Sequence, residues 1–386
     1  MGIFLLGCGE MGSVIGTDLL KTYDGELTFA DRELERAERL ARRFPKRPIR
    51  AISVDVKDRA ALVDAIRISK ARVLINAVNY YFNVDIMMAC MEAGVNYLDL
   101  GGMFHTTRKQ LELDPSFRKK DLIAIPGMGS SPGITNVLAA YAAEGMDKVE
   151  TIDISFADKD RTRYTTPIVL PYSILTLFEE FGEEPVIFKD GKYTSLKPLS
   201  GFEDKTFPKP LNKARCFFTL HSEAATLPFS FPGLKSCWFR GGFDPSFVDR
   251  IKLLLDVGFA SKEKITLPGN VQVSPRDVTV KMTEKFIPGP DVKIDDLEFL
   301  RVEVRGTSKG KRKSAIAYCE SFTNNEWNIP AGSWDTGVAP SVVAQMIETG
   351  DITERGVVPP EKSVVREKFF AELKKRDMKV WLEKGR

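Results

Sequence analysis

Two groups of residues in this 386-residue chain have types and spacing suited to chemistry. The first stands near the N-terminus in GIFLLGCGEMGSVIG, where Gly7, Gly9 and Gly12 follow a short apolar run and open an apolar helical pattern. A lone GxGxxG is a weak signal. Here it lies between a strand and a helix, and Asp31 follows nineteen residues after Gly12, which points to a dinucleotide cradle rather than a plain structural turn. Gly7 permits the tight turn, Gly9 lets backbone approach a pyrophosphate, and Gly12 lets helix and strand pack closely. Glu10 and Met11 begin the helix, whose N-terminus offers free N–H groups and a positive dipole end to phosphates. The second group is in HSEAATLP. His221 has an ordinary pKa near neutrality, and Glu223 has the same parity if one strand runs through both. Together they would suit acid–base chemistry; the alternative is a bonded core or interface histidine.

The elements that must position these residues begin as alternating strands and helices. GIFLLGC, GELTFADR, IRAISVDV, ARVLINAV, NYLDLGG and DLIAIPG read as six strands, separated by amphipathic helices. That rhythm predicts an α/β Rossmann doubly wound parallel sheet over residues 1–130, with ligand at the carboxyl ends of the strands. Asp31 can bond both ribose hydroxyls of NAD and would repel a 2′-phosphate, so NAD is favoured over NADP; Arg32 would hold that phosphate, or stack on adenine. Asp55 can reach the adenine amino group or cap the next helix. Asn76 can support the nicotinamide ribose or satisfy a turn, and Asp99 ends the fifth strand beside them.

After residue 130 the periodicity changes. KVETIDISFAD, CFFTLHSE, KSCWFRGGF, DVTVKM, LEFLRVEVRG, SAIAYCESF and NEWNIPAG alternate at period two, predicting an α+β substrate domain with a mainly antiparallel sheet over 131–330. Residues 331–386 read as C-terminal helices returning to the first domain, with a charged amphipathic helix over 363–386. YTSLK (193–197) matches a YxxxK pattern but follows a turn and precedes Pro198, so it is read as chance.

Composition excludes several classes. Fifty-six basic and 53 acidic residues leave a net charge of +3, no general case for nucleic acid; the cluster in TSKGKRKS reads as a hairpin loop. Five cysteines without a CxxC and two histidines assemble no zinc spacing, so no metal is expected. No run reaches membrane-spanning length and no signal peptide is visible, which points to a cytoplasmic protein without a membrane partner.

The ordered segments GCGEMG, ADR, VDVKD, NAVNYYFNVDIMMACMEAGVNYLDLGG and PGMGSSPGITNVLAAY resemble the saccharopine dehydrogenase family, the lysine 6-dehydrogenase-like branch above all. The likeness continues through FTLHSEAATLPFSFP, FRGGFDPSFVDRIKLLLDVGF and GVVPPE, to about residue 362. It implies an NAD(P)-dependent oxidoreductase acting on a CH–NH or CH–NH2 group of an amino acid, foremost oxidative deamination of lysine at the ε-carbon. The alternatives are a saccharopine-type or polyamine-precursor imine reductase, and a non-catalytic NAD-binding protein. It also implies a homodimer joined through the substrate domains. The chain departs from the family pattern at Gly127, where an acidic residue is expected, and at Phe239-Arg240, where Arg-Tyr is expected.

Oxidising an amine with NAD needs the C–H held over the nicotinamide, the nitrogen unprotonated, and the substrate carboxylate bound. His221, Glu223 and Tyr81 are the catalytic candidates; Tyr80, Ser130, Ser131 and Arg240 are the substrate-binding ones, Arg240 for its bidentate fit to a carboxylate. Tyr80 and Tyr81 can cover the nicotinamide or merely pack. His105 lies near the cofactor end of the fifth strand and is a lesser candidate.

Overall fold

A computed structural model describes residues 2–166, 168–283, 286 and 291–384. Six apolar runs form the parallel strands β1 (Gly2–Leu6), β2 (Glu26–Asp31), β3 (Ile49–Ser53), β4 (Val73–Asn76), β5 (Asn96–Asp99) and β6 (Ile123–Ile125). Between them run α1 (Glu10–Thr22), α2 (Leu34–Ala41), α3 (Arg59–Ser69), α4 (Asn83–Ala93), α5 (Met103–Leu111) and α6 (Asp114–Lys119). The order is β3-β2-β1-β4-β5-β6, the doubly wound arrangement expected, and Gly356–Val357 adds a seventh parallel strand beside β6.

The second layer begins with α7 (Ile134–Ala142) and the long β7 (Lys148–Asp160). Next come α8 (Ile174–Gly182), β8 (Val186–Lys189), β9 (Lys192–Ser195), β10 (Glu203–Thr206), β11 (Lys213–Phe218), α9 (Glu223–Ser230), β12 (Ser236–Gly242) and α10 (Pro245–Asp256). A small hairpin, β13 (Ile265–Leu267) and β14 (Val271–Val273), leads to α11 (Pro275–Thr283). The hairpin β15 (Asp296–Ser308) and β16 (Lys311–Phe322) then precedes α12 (Ala331–Glu348), β17 (Gly356–Val357), α13 (Pro360–Ser363), α14 (Arg366–Lys374) and β18 (Lys379–Lys384). The second sheet runs β10-β11-β12-β7-β15-β16-β18, with β8 and β9 beside β12. The basic cluster is the β15–β16 turn, where Lys309 and Gly310 both take positive φ.

The second sheet is mainly antiparallel as expected, with β12 running parallel to β7. Three expectations are corrected. DVTVKM is helical in α11: Ser274 accepts the Asp277 N–H and Pro275 starts the helix, a local start signal that overrides a six-residue alternation. NEWNIPAG is a turn closed by Asn324 and Ile329, followed by α12. The tail is not one helix: after α14, β18 pairs with β16 in the second sheet, and residues 385–386 lie outside the described residues. YTSLK falls on β9, without the helix its chemistry elsewhere requires.

One hydrophobic core joins the layers, from Ile3 and Leu5 through Val338 and Val342 to Leu300 and Val302. Gly337 lets α12 lie against α1, since a Cβ there would fall 2.5 Å from Val14. The C-terminal segment is locked in by a buried bidentate pair: Arg376 donates to both oxygens of Asp18 at 2.7 and 2.9 Å, and Ser341 adds a bond at 2.6 Å. Removing one partner strands the other charge. Asp18→Ala is expected to cost about 3–5 kcal/mol in urea unfolding; a loss below about 1 kcal/mol, the range of exposed pairs, would show that the pair does not hold the layers together.

Candidate active site

The glycine turn has the form a dinucleotide needs. Gly7 takes φ +91°, and a Cβ there would meet the Ala77 backbone at 2.9 Å. At Gly12 a Cβ would fall 1.8 Å from the Gly7 carbonyl oxygen. Gly9 is different: the nearest atom to its Cβ position is Arg36 Nη1 at 4.0 Å, so its face is open. Gly9 is the N-cap of α1 and no side chain caps that helix, leaving the N–H groups of its first turn, with Glu10 and Met11, available to phosphate. Glu10 is exposed at this turn, and surrounding protein still pushes its pKa up.

A cavity of about 380 Å³ continues from this turn, lined by Asp31, Arg32, Glu33, Arg36, Asp55 and Lys57 among others. Asp31 is fixed at its rim, accepting the Cys8 N–H at 2.7 Å and the Glu33 N–H at 2.9 Å. Asp55 faces the cavity and accepts from the Lys57 N–H; the cap of α3 is Asp58 instead, bonded to the Ala61 N–H. Arg36 and Lys57 were not singled out from sequence. Arg36 is paired with Glu33, three residues before it on the same turn of chain. These residues fit a dinucleotide.

Asn76 and Asp99 sit deeper than expected. Asn76 donates to Asn83 and Tyr97 and accepts the Val78 N–H, so its amide is spent on the protein. Asp99 accepts from Tyr97 Oη, Asn83 Nδ2, Gln110 Nε2 and the Gly101 and Gly127 N–H groups. Both are buried and position the strand ends rather than reaching outward. Gly127 is required where it stands: its φ is +74° and a Cβ would be 2.9 Å from Pro132. The backbone itself therefore excludes an acidic side chain there.

The loop after β6 leads to the acid–base group. Ser131 donates to Glu223 Oε1 at 2.6 Å, and Thr135 adds a bond at 3.3 Å. Glu223 and His221 do meet, but not by strand parity: β11 ends at Phe218, His221 lies in the following turn, and Glu223 opens α9. His221 Nδ1 is 3.3 Å from Glu223 Oε2, and Nε2 is bonded to Glu180 Oε1 at 2.5 Å. The ring stacks on Phe239, centroids 3.6 Å apart. Glu180 in turn accepts the Tyr172 hydroxyl. Burial alone would lower the imidazole pKa; the Glu223 and Glu180 carboxylates outweigh it and raise it to about 9. Burial would raise Glu223, but the imidazolium and the Ser131 bond hold it below the usual carboxylate range. At neutral pH the site therefore holds a protonated histidine between two carboxylates. Nε2 is tied to Glu180, and Nδ1 is buried against Glu223 Oε2.

Other candidates are not brought here. Arg240 follows Phe239 on β12 and therefore points to the opposite face of the sheet. There it lies 3.2 Å from Glu203 and 3.6 Å from Asp153, with its guanidinium over Phe218. Tyr81 is 47% exposed, its ring beside Lys262, and His105 is exposed on α5. Tyr80 reaches across instead, its hydroxyl 2.5 Å from Glu179 on α8. Ser130 accepts from Thr336 of α12. Glu180 and Tyr172 were missed. A signal existed: LTLFEEFG places two glutamates within the apolar stripe of Leu177, Phe178 and Phe181, where a solvated face would not put them.

The glycines separate binding from folding. Gly9→Ala should leave the melting temperature of the free protein unchanged and weaken dinucleotide binding about tenfold or more in a fluorescence titration, ~1.4 kcal/mol. Gly12→Ala should lower the melting temperature itself. Unchanged binding in the Gly9 variant would remove the cradle from this turn.

Comparison with known proteins follows the same division of the chain. Residues 3–125 match the saccharopine dehydrogenase NADP-binding domain, and residues 129–378 the saccharopine dehydrogenase C-terminal domain. The chain is 25% identical to carboxynorspermidine synthase of Vibrio cholerae, over 94% of this chain and 92% of that one. It is 22% identical to carboxyaminopropylagmatine dehydrogenase of Synechocystis sp., over 93% and 92%. Its fold matches apo saccharopine dehydrogenase (L-Glu forming) of Saccharomyces cerevisiae with a TM-score of 0.76 at 15% identity, covering all of both chains. The cradle, the two-layer fold and these matches together make the chain a member of the saccharopine dehydrogenase family, a nicotinamide dinucleotide-dependent oxidoreductase.

Proposed function

We propose that the protein forms or cleaves the secondary C–N bond of a carboxylated polyamine precursor, acting foremost as an imine reductase. The observation that carries this reading is the His221 imidazolium, held between Glu180 and Glu223. Residues 1–130 would hold the dinucleotide and 131–330 the substrate. A bound nicotinamide supplies the hydride. Hydride adds to the imine carbon, the C=N π pair moves to nitrogen, and His221 gives nitrogen its proton. Glu180 holds the ring through Nε2, and Glu223 keeps the imidazolium charged until transfer. In the reverse direction neutral His221 takes the proton from the amine. The two curated relatives support the substrate class, since both their names denote a carboxylated compound with several basic nitrogens. The placement of Arg240 on the far face also removes the guanidinium that a second substrate carboxylate would call for. Oxidation of free lysine stands second.

NAD is the cofactor we favour, through Asp31 at the cavity rim and the neutralisation of Arg36 by Glu33. A homodimer through the second sheet belongs to the same reading, as does a reducing, cytoplasmic setting for five free buried cysteines. Among the described residues no helix is long and apolar enough to cross a membrane.

The direct test offers carboxynorspermidine, carboxyaminopropylagmatine, saccharopine and lysine separately, with NAD and NADP, and follows reduced cofactor. Turnover of a carboxylated polyamine is expected; turnover of lysine alone would sink the leading reading. Because the His221 pKa is raised, its proton is present below about 9. Imine reduction should therefore fall, and amine oxidation rise, as pH passes about 9. His221→Asn should abolish both limbs, and a surviving limb would assign it to another group. Asp31→Ala should shift preference toward NADP by about tenfold in kcat/KM; an unchanged ratio would place cofactor choice elsewhere in the cavity.

A further inference from the structure

The turn after β4 reaches both the dinucleotide cavity and the second layer. It is a short 3-10 turn, Tyr80–Phe82, started by Asn79, whose side chain accepts the Tyr81 N–H at 3.0 Å. Asn83 follows and ties the turn to the buried Asp99 network, donating to Asp99 and to the Gly101 carbonyl. Phe82 lines the dinucleotide cavity together with Ala77 and Val78. Two residues earlier, Tyr80 crosses to the second layer and donates its hydroxyl to Glu179 Oε2 at 2.5 Å. Tyr81 supports the crossing: its ring lies 4.5 Å from that of Tyr80, with the Lys262 ammonium over it.

Glu179 stands in the last turn of α8, next to Glu180. Glu180 holds the histidine segment twice. Its Oε1 is bonded to His221 Nε2 at 2.5 Å, and its backbone carbonyl accepts the Leu220 N–H at 3.3 Å. A continuous path therefore runs from a wall of the dinucleotide cavity, through Tyr80 and the last turn of α8, to the acid–base group. The rest of α8 is seated on apolar side chains, with Leu177, Phe178 and Phe181 packed among Phe217 and Phe243. Apolar packing is non-directional, whereas a hydroxyl bonded to a carboxylate is short and directional. Burial and the Glu179 carboxylate raise the Tyr80 pKa, so its hydroxyl stays protonated as the donor.

We propose that Tyr80 is a positioning residue for proton transfer: its bond to Glu179 fixes the last turn of α8, and so sets Glu180 and the His221 ring relative to the dinucleotide cavity. This rests on His221 being the proton donor of the proposed reaction and adds what places it. Tyr80 acts through α8, and bonds in one side-chain network are felt at their neighbours. The charged groups that face His221 are Glu180 from α8 and Glu223 from α9. Those around Glu179, besides Tyr80, are Lys262, Arg276 and Glu183. Loosening Glu180 weakens one of the two carboxylates that keep the imidazolium charged, so the histidine pKa falls.

The test is a histidine NMR titration of the NADH-loaded protein. The chain has two histidines, so His105→Gln identifies the His221 signal. Wild-type His221 should titrate at about 9. Tyr80→Phe removes the bond and keeps every charge; His221 should then titrate at lower pH, and kcat for imine reduction should fall about tenfold with KM for NADH retained. Glu179→Gln removes the charge but keeps an acceptor for the hydroxyl, and should titrate and turn over as wild type does. The double variant Tyr80→Phe/Glu179→Ala should be no worse than either single change. A His221 titration unmoved in Tyr80→Phe, or moved by Glu179→Gln alone, would overturn the positioning role. If Tyr80→Phe fails to fold, Glu179→Ala carries the same expectation. A shifted His221 without turnover of any imine would keep the positioning role and reject the proposed reaction. Turnover of a carboxylated polyamine with an unmoved His221 would do the reverse.

Discussion

The Asp99 carboxylate is where the site is held together. It receives five donors, from Tyr97, Asn83, Gln110 and the backbone of Gly101 and Gly127, in a fully buried position. Burial raises its pKa in spite of these bonds, so desolvation and hydrogen bonding are in direct opposition. The backbone bonds join the carboxyl ends of β5 and β6. Pro132 packs on the same two glycines, Gly101 and Gly127, so the loop carrying Ser130 and Ser131 is placed by this one group. Through Ser131 the placement reaches Glu223 and then His221. A buried, saturated network is stiff, and stiffness is what a proton-transfer geometry needs.

A second balance governs the acid–base group. An isolated buried imidazole would lose its proton; two carboxylates reverse that sign. Their own carboxylates are held by Ser131, Thr135 and Tyr172, which lie on elements far apart in the chain.

Much of this was legible beforehand. Gly7, Gly9, Gly12 and Asp31 follow from local rules, because a turn between a strand and a helix constrains backbone over a dozen residues and little else. The parallel order of the first sheet follows from the alternation of short apolar runs and amphipathic helices. His221 and Glu223 were also visible, but for a mistaken reason: the strand ends at Phe218, and the pair meets across a turn and a helix start. Arg240 shows the limit in the other direction. Its residue type suits a carboxylate, but a one-residue step along β12 puts it on the wrong face.

By itself, then, the sequence determined the cradle, the class of fold and the residue types available for acid–base work, since each depends on contacts between near neighbours in the chain. Only the tertiary structure decided that Glu180 and Tyr172 join His221, and that Asn76 and Asp99 face inward. Those groups come from strands and helices tens to hundreds of residues apart. Their ionisation depends on burial and on the charges opposite, which no local pattern encodes.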